Sequence, residues 1–117
     1  QRVYLAGFSQ GGMMALALGL TRPQDVAGVA VMSGRLLPET LAGRAADAAL
    51  LGLPVLLVHG TDDRMIPVAQ ARAARHELER LKVALAYTEM PMGHTISPAS
   101  TAAVAAWLGG RLDGHRR

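Results

Sequence analysis

The chain has 117 residues, a formal net charge of +3 and no cysteine, with half its residues hydrophobic and only 3% aromatic. That length fits one domain with a real core. The composition excludes intrinsic disorder and a disulfide scaffold, and no apolar run approaches the roughly 18 residues of a membrane span. The basic residues, 11 Arg and Lys82, are scattered and adjoin only at Arg116 and Arg117, without interleaved aromatics, which argues against a nucleic-acid surface.

Residues 2–7 (RVYLAG) read as a buried strand ending at a glycine turn, so the sequence begins at Gln1 almost inside a strand. Residues 10–20 (QGGMMALALGL) predict a helix that Pro23 ends, and residues 26–32 (VAGVAVM) a second strand. Residues 38–51 are Ala-rich and read as part helix, part loop. Residues 55–59 (VLLVH) form a third strand. Residues 68–82 form a helix with Ala71, Ala74, Leu78 and Leu81 on one stripe, and residues 83–89 (VALAYTE) a fourth strand. Ser97 then caps a last helix with Pro98 at its first position. That helix is expected to run to about Leu112 with Val104, Trp107, Leu108 and Leu112 facing inward. It closes a domain of residues 1–112 and leaves 113–117 as a tail.

These elements make about four consecutive βα units. Near-continuously apolar strands fit an α/β fold, a parallel sheet with helices on both faces. In such sheets functional residues gather beyond the carboxyl ends of the strands. Here those ends are residues 7–9, 33–34, 59–63 and 90–94.

Residues 7–12 (GFSQGG) hold a G-x-S-x-G between a strand and a helix. A nucleophilic Ser9 on that turn needs a strained backbone with its hydroxyl exposed, and side chains at Gly7 and Gly11 are expected to collide with the backbone there. The N-terminus of the following helix favours a developing oxyanion. An acid follows the third strand (HGTDDRMIP, residues 59–67), and His94 follows the fourth. The order Ser, Asp, His is the one this fold uses for a triad. Asp62 and Asp63 both compete for the acid. His59 ends a buried strand and reads as a hydrogen-bonded structural residue, His76 as solvated, His115 as part of the tail. A metal site from His59, Asp62 and His94 has no recognised ligand spacing. Met13 and Met14 read as helix packing. Met32, Met65, Met90 and Met92 read first as gap-filling core, and second as lining for an acyl pocket.

GFSQGG, HGTDDRMIPV and YTEMPMGHTIS, with MSGRLLP at residues 32–38, together resemble the carboxylesterase/phospholipase family of α/β-hydrolases, which includes acyl-protein thioesterases. The resemblance extends from residue 2 to about residue 112. It implies Ser9 as nucleophile, His94 as general base, Asp63 as the acid by the G-x-x-D-x-x-[VI]-P spacing of residues 60–67, and the Gln10 backbone N–H as an oxyanion donor. It implies hydrolysis of a small-molecule ester or thioester in the cytoplasm, with no cofactor and no metal.

Family members are about twice as long, so the chain is expected to be the C-terminal half of the hydrolase fold, with the second oxyanion donor on the other half. The first strand then has an open apolar edge at residues 3–6, an expected pairing or aggregation site through which a homodimer could form. Competing readings are a prolyl-peptidase-type domain, a dienelactone-type hydrolase (disfavoured by serine in place of cysteine) and a non-catalytic truncated interaction module.

Overall fold

The computed structural model describes residues 2–116, with side chains for residues 2–113. Four strands, β1 (Val3–Phe8), β2 (Val26–Met32), β3 (Pro54–Gly60) and β4 (Ala84–Met90), pair in parallel in the order β1-β2-β3-β4. Helix α1 (Gln10–Thr21) links β1 to β2, and α4 (Val68–Arg80) links β3 to β4. Between β2 and β3 the Ala-rich stretch forms two short helices, α2 (Pro38–Ala42) and α3 (Asp47–Leu50). The last element is α5 (Pro98–Arg116).

The apolar strand sequences follow from covered faces. Alternate residues of a strand point to opposite sides. Val29, Val31, Val55 and Leu57 therefore pack with Leu16 and Leu20 of α1 and Ala74 and Leu78 of α4. Ala30, Leu56 and Val58 point the other way, toward Val104 and Trp107 of α5. Leu16, Leu20, Leu50 and Leu78 are among the largest fully buried side chains. Each contributes about 1.5–3 kcal/mol through the apolar surface it removes from water.

The sheet register decides where the loops meet. Phe8 pairs with Met32, Met32 with Val58, and Val58 with Thr88, so all four strands end within a residue or two of one level. The loops after β1, β3 and β4 are thereby brought to one edge of the sheet. Among the described strands β1 lies at one side of the sheet, and Val3 is exposed. Among the described residues no helix is long and apolar enough to cross a membrane.

The last helix differs from expectation. Its start is as read: the Ser97 hydroxyl accepts the Ser100 N–H at 3.1 Å, and the Ser100 hydroxyl in turn accepts the Ser97 N–H at 2.8 Å. This is a reciprocal capping box with serine where Glu or Gln is usual. The backbone, however, stays helical to Arg116 rather than stopping near Leu112, and Leu112 is 44% exposed instead of inward-facing. Periodicity overestimated the buried stripe: the packing beneath α5 involves Ala103, Val104 and Trp107, and Leu112 lies beyond them. His115 lies outside the described side chains, as do the other residues of the 113–117 segment after Asp113.

Leu78→Ala is expected to cost about 2–5 kcal/mol by leaving a cavity between α4 and the sheet, whereas Leu112→Ala changes stability by less than about 0.5 kcal/mol. Urea unfolding of the two variants checks this. Equal losses would mean that α5 packs differently from the arrangement described.

Candidate active site

Ser9 is the hinge between β1 and α1, with φ 57° and ψ −120°. A side-chain-bearing residue rarely adopts positive φ, and holding it there costs on the order of 1–3 kcal/mol. The surroundings enforce it. The Ser9 N–H donates to the Met32 carbonyl of the neighbouring strand at 2.8 Å, and the Ser9 carbonyl accepts the Met13 N–H at 3.0 Å.

Glycine is needed where strand and helix cross. A Cβ on Gly7 would run into the Gly11 and Gly12 backbone, and one on Gly12 would lie 2.9 Å from the Gly7 carbonyl oxygen and 3.0 Å from Val31. The expected collision at Gly11 does not occur: a Cβ there meets nothing within 4 Å. Gly11 lies one helix position from the crossing and faces outward, so the steric demand falls on its neighbour Gly12. Gly34, after β2, packs under the same turn, since a Cβ there would approach Val31 to 2.8 Å and Met13 N and the Ser9 carbonyl oxygen to 3.4 Å.

Burial separates the two neighbouring acids. Asp63 is 5% exposed, whereas Asp62 is exposed and its N–H donates to the Met92 carbonyl at 3.0 Å. One Asp63 oxygen, Oδ1, accepts the backbone N–H groups of Met65 at 2.9 Å and Ile66 at 2.8 Å. The other, Oδ2, stands 2.8 Å from His94 Nδ1. Burial on its own would raise this carboxyl's pKa. The bonds from Ile66, His94 and Met65 outweigh burial and hold it below its ordinary value of 3.8.

His94 completes the chain. Its Nε2 stands 2.9 Å from Ser9 Oγ while Nδ1 faces Asp63, and the Phe8 ring packs against the imidazole at a centroid distance of 4.9 Å. Residues 9, 63 and 94, from three separate loops, are thus brought into one hydrogen-bonded line. The loops after β3 and β4 are laced together by Thr61 N–H to the Met90 carbonyl (2.8 Å) and Asp62 N–H to the Met92 carbonyl. Gly60 allows this approach, because a Cβ there would overlap the Met92 carbonyl. Sequence reading used Gly60 only as a spacing marker and missed both this contact and the seat that Gly34 offers.

β4 is braced from α4. Arg72 grips Glu89 with two bonds of 2.8 and 2.9 Å, and the Tyr87 hydroxyl donates to the same carboxylate at 2.6 Å. The Arg72 and Tyr87 hydrogen bonds hold the Glu89 carboxyl down at about 2. The same Glu89 pairs in register with His59, at the level where the site begins.

Other candidates settle as follows. His59 is buried and bonded to the Ile66 carbonyl at 2.7 Å, and His76 is exposed. Met32, Met90 and Met92 pack on the core cluster beneath α5, but Met14 and Met65 are 62% and 75% exposed and are not packing residues. Met14 lies on the outer side of α1 and Met65 in the loop after β3. Among the described residues no group of three or more His, Asp or Glu side chains is arranged to hold a metal ion.

A parallel sheet with a strained serine turn after one strand and an Asp and a His after two later strands defines an α/β-hydrolase. The phospholipase/carboxylesterase family model matches residues 1–109, and the chain belongs to that family. It is 33% identical over 116 residues to carboxylesterase SOBER1 of Arabidopsis thaliana, covering 97% of this chain and 50% of that protein. Acyl-protein thioesterase 1 of Gibberella zeae is 33% identical over 111 residues, covering 92% of this chain and 47% of that protein. The crystal structure of Arabidopsis thaliana SOBER1 superposes with a TM-score of 0.83 at 32% identity, over 93% of this chain and 52% of that one. The chain therefore spans about half the length of the curated relatives it matches.

Because the folded-state pKa of Asp63 is depressed, its ionised form stabilises the protein fully above about pH 4, and that contribution is lost as pH falls through the lower folded value. Asp63→Asn is expected to lower stability near neutral pH by about 1–3 kcal/mol and to lose less melting temperature than wild type between about pH 5 and about pH 3. Parallel wild-type and variant melting curves over that range would refute the assignment. Gly60→Ala is expected to cost about 1–3 kcal/mol, the usual cost of forcing atoms into a close-packed contact, because the Met92 backbone must give way. A denaturant midpoint equal to wild type would show that the two loops do not approach as described.

Proposed function

We propose that the protein is a serine hydrolase of small carboxylic esters or thioesters. Ser9 is the nucleophile, His94 the general base and Asp63 the residue that orients His94. The activity is proposed for the whole protein. The observation that carries the reading is the unbroken line from Ser9 Oγ through His94 Nε2 and Nδ1 to Asp63 Oδ2, at 2.9 and 2.8 Å. The family relationship supports it, since the relatives include proteins named carboxylesterase and acyl-protein thioesterase.

In this mechanism the Ser9 hydroxyl attacks the acyl carbon while His94 Nε2 takes its proton. Asp63 accepts the Nδ1–H bond, which keeps Nε2 free as the base, and its charge stabilises the imidazolium that forms. The tetrahedral oxyanion sits against the N-terminus of α1. There the Gln10 N–H begins the helix, and first-turn N–H groups have no intrahelical acceptor. His94 returns the proton to the departing alcohol or thiol. It then deprotonates water, which attacks the acyl-serine and releases the acid. These residues call on no cofactor or metal. We place residues 1–112 within one hydrolase domain. The Gln10 N–H is the oxyanion donor on these residues, and losing one such donor costs about 10²–10³ in rate. A cytoplasmic location is proposed with it, as the family resemblance implies.

A fluorophosphonate probe is expected to label the intact protein at Ser9, with no labelling of Ser9→Ala. Ester turnover by Ser9→Ala is expected to fall by at least about 10³. Peptide mapping that placed the label elsewhere, or an unchanged rate in Ser9→Ala, would end the proposal.

A further inference from the structure

One buried titratable side chain has no part in the proton transfers above. His59, 1% exposed, sits at the end of β3 with Nε2 2.7 Å from the Ile66 carbonyl oxygen and 3.5 Å from Asp63 Oδ2. We propose that His59 is a positioning residue for the Asp63–His94 pair, acting through Asp63 and the Ile66 backbone and touching no reacting atom. The proposal rests on the hydrolase reading given above.

A carbonyl oxygen only accepts hydrogen bonds, so at 2.7 Å the Nε2 of His59 carries the hydrogen and donates it. That bond fixes the carbonyl side of Ile66. The amide side of the same residue donates to Asp63 Oδ1 at 2.8 Å. Both backbone polar groups of Ile66 are therefore held, one by the imidazole and one by the acid. His59 Nε2 also stands 3.5 Å from Oδ2, which faces His94 Nδ1 at 2.8 Å. Asp63 thus lies between two imidazoles. One passes the proton, and the other holds the loop that aims the carboxylate.

Packing alone does not call for histidine at this position. β3 is otherwise apolar along its buried length, with Val55, Leu56, Leu57 and Val58 before it, and an aliphatic or phenyl side chain would bury more cheaply. What a phenyl ring lacks is the N–H. Without it the Ile66 carbonyl loses its donor inside the protein, and the Ile66 amide, tied to the same stretch of chain, is free to shift from Oδ1. Displacements of about 1 Å in a catalytic group can cost on the order of 100-fold in rate.

The test uses the intact protein and a soluble p-nitrophenyl ester, with His59→Phe and His59→Gln compared with wild type. The Gln side-chain amide can present an N–H near the place of Nε2. His59→Phe is expected to lower kcat by about 10- to 100-fold with KM within about twofold of wild type, and His59→Gln to recover kcat to within about threefold. The low-field proton resonance of the His94 Nδ1–H is expected to survive in His59→Gln and to move upfield or broaden in His59→Phe. This readout follows geometry independently of turnover. Wild-type kcat in a folded His59→Phe, or a resonance unmoved in that variant, would overturn the proposal. So would a tenfold or greater loss of kcat in His59→Gln, which decides the matter alone if His59→Phe does not fold. Failure of the hydrolase reading itself would show separately, as a wild-type protein that neither turns over the ester nor loses probe labelling on Ser9→Ala.

Discussion

A carboxylate removed from water is tolerated only when donors replace its lost hydration, and the loop after β3 is organised around that demand. Asp63 Oδ1 takes two backbone N–H groups and Oδ2 takes His94, so the charge that burial would penalise is the form its surroundings favour. The consequences spread outward. Satisfying Oδ1 curls residues 63–66 into a tight turn. That turn brings the Ile66 carbonyl onto His59, and satisfying Oδ2 requires the loop after β4 to come within reach. Gly60 and the Asp62–Met92 backbone bond let the two loops touch.

The sheet provides the frame in which a bond spanning 85 residues, from Ser9 to His94, can form at all. Four parallel strands in a matched register end together, and each loop then needs to reach only a short distance. Strain at Ser9 is offset by the strand bond to Met32 and by the helix that starts immediately after it. The crossing of β1 and α1 is close-packed at Gly7 and Gly12, and Arg72 ties α4 to Glu89 at the end of β4.

Much of this was legible along the chain. The four strands and the two long helices between them were readable because each strand is a short apolar run, α1 lies between a glycine turn and Pro23, and α4 carries an apolar stripe at helical spacing. The serine turn announced itself by strand, glycine and helix in succession. Less legible were features that depend on what lies across a gap. Asp62 and Asp63 are chemically identical neighbours, and only the fold shows that one is exposed and the other buried. Gly11 and Gly12 are likewise adjacent, yet the close contact belongs to Gly12. Leu112 continues an apolar spacing yet is exposed, and Met65 lies exposed on a loop rather than filling the core.

Local chemistry, then, already specified the α/β alternation, the serine turn and the order of Ser, Asp and His, because helix and strand periodicity and turn residues act over a few neighbours along the chain. The line from Ser9 through His94 to Asp63, the pairing of His59 with Ile66 and the meeting of Gly60 with Met92 were decided only in three dimensions. Each depends on strand register and on which atoms lose water, and both are properties of the packed sheet that no short stretch of residues carries.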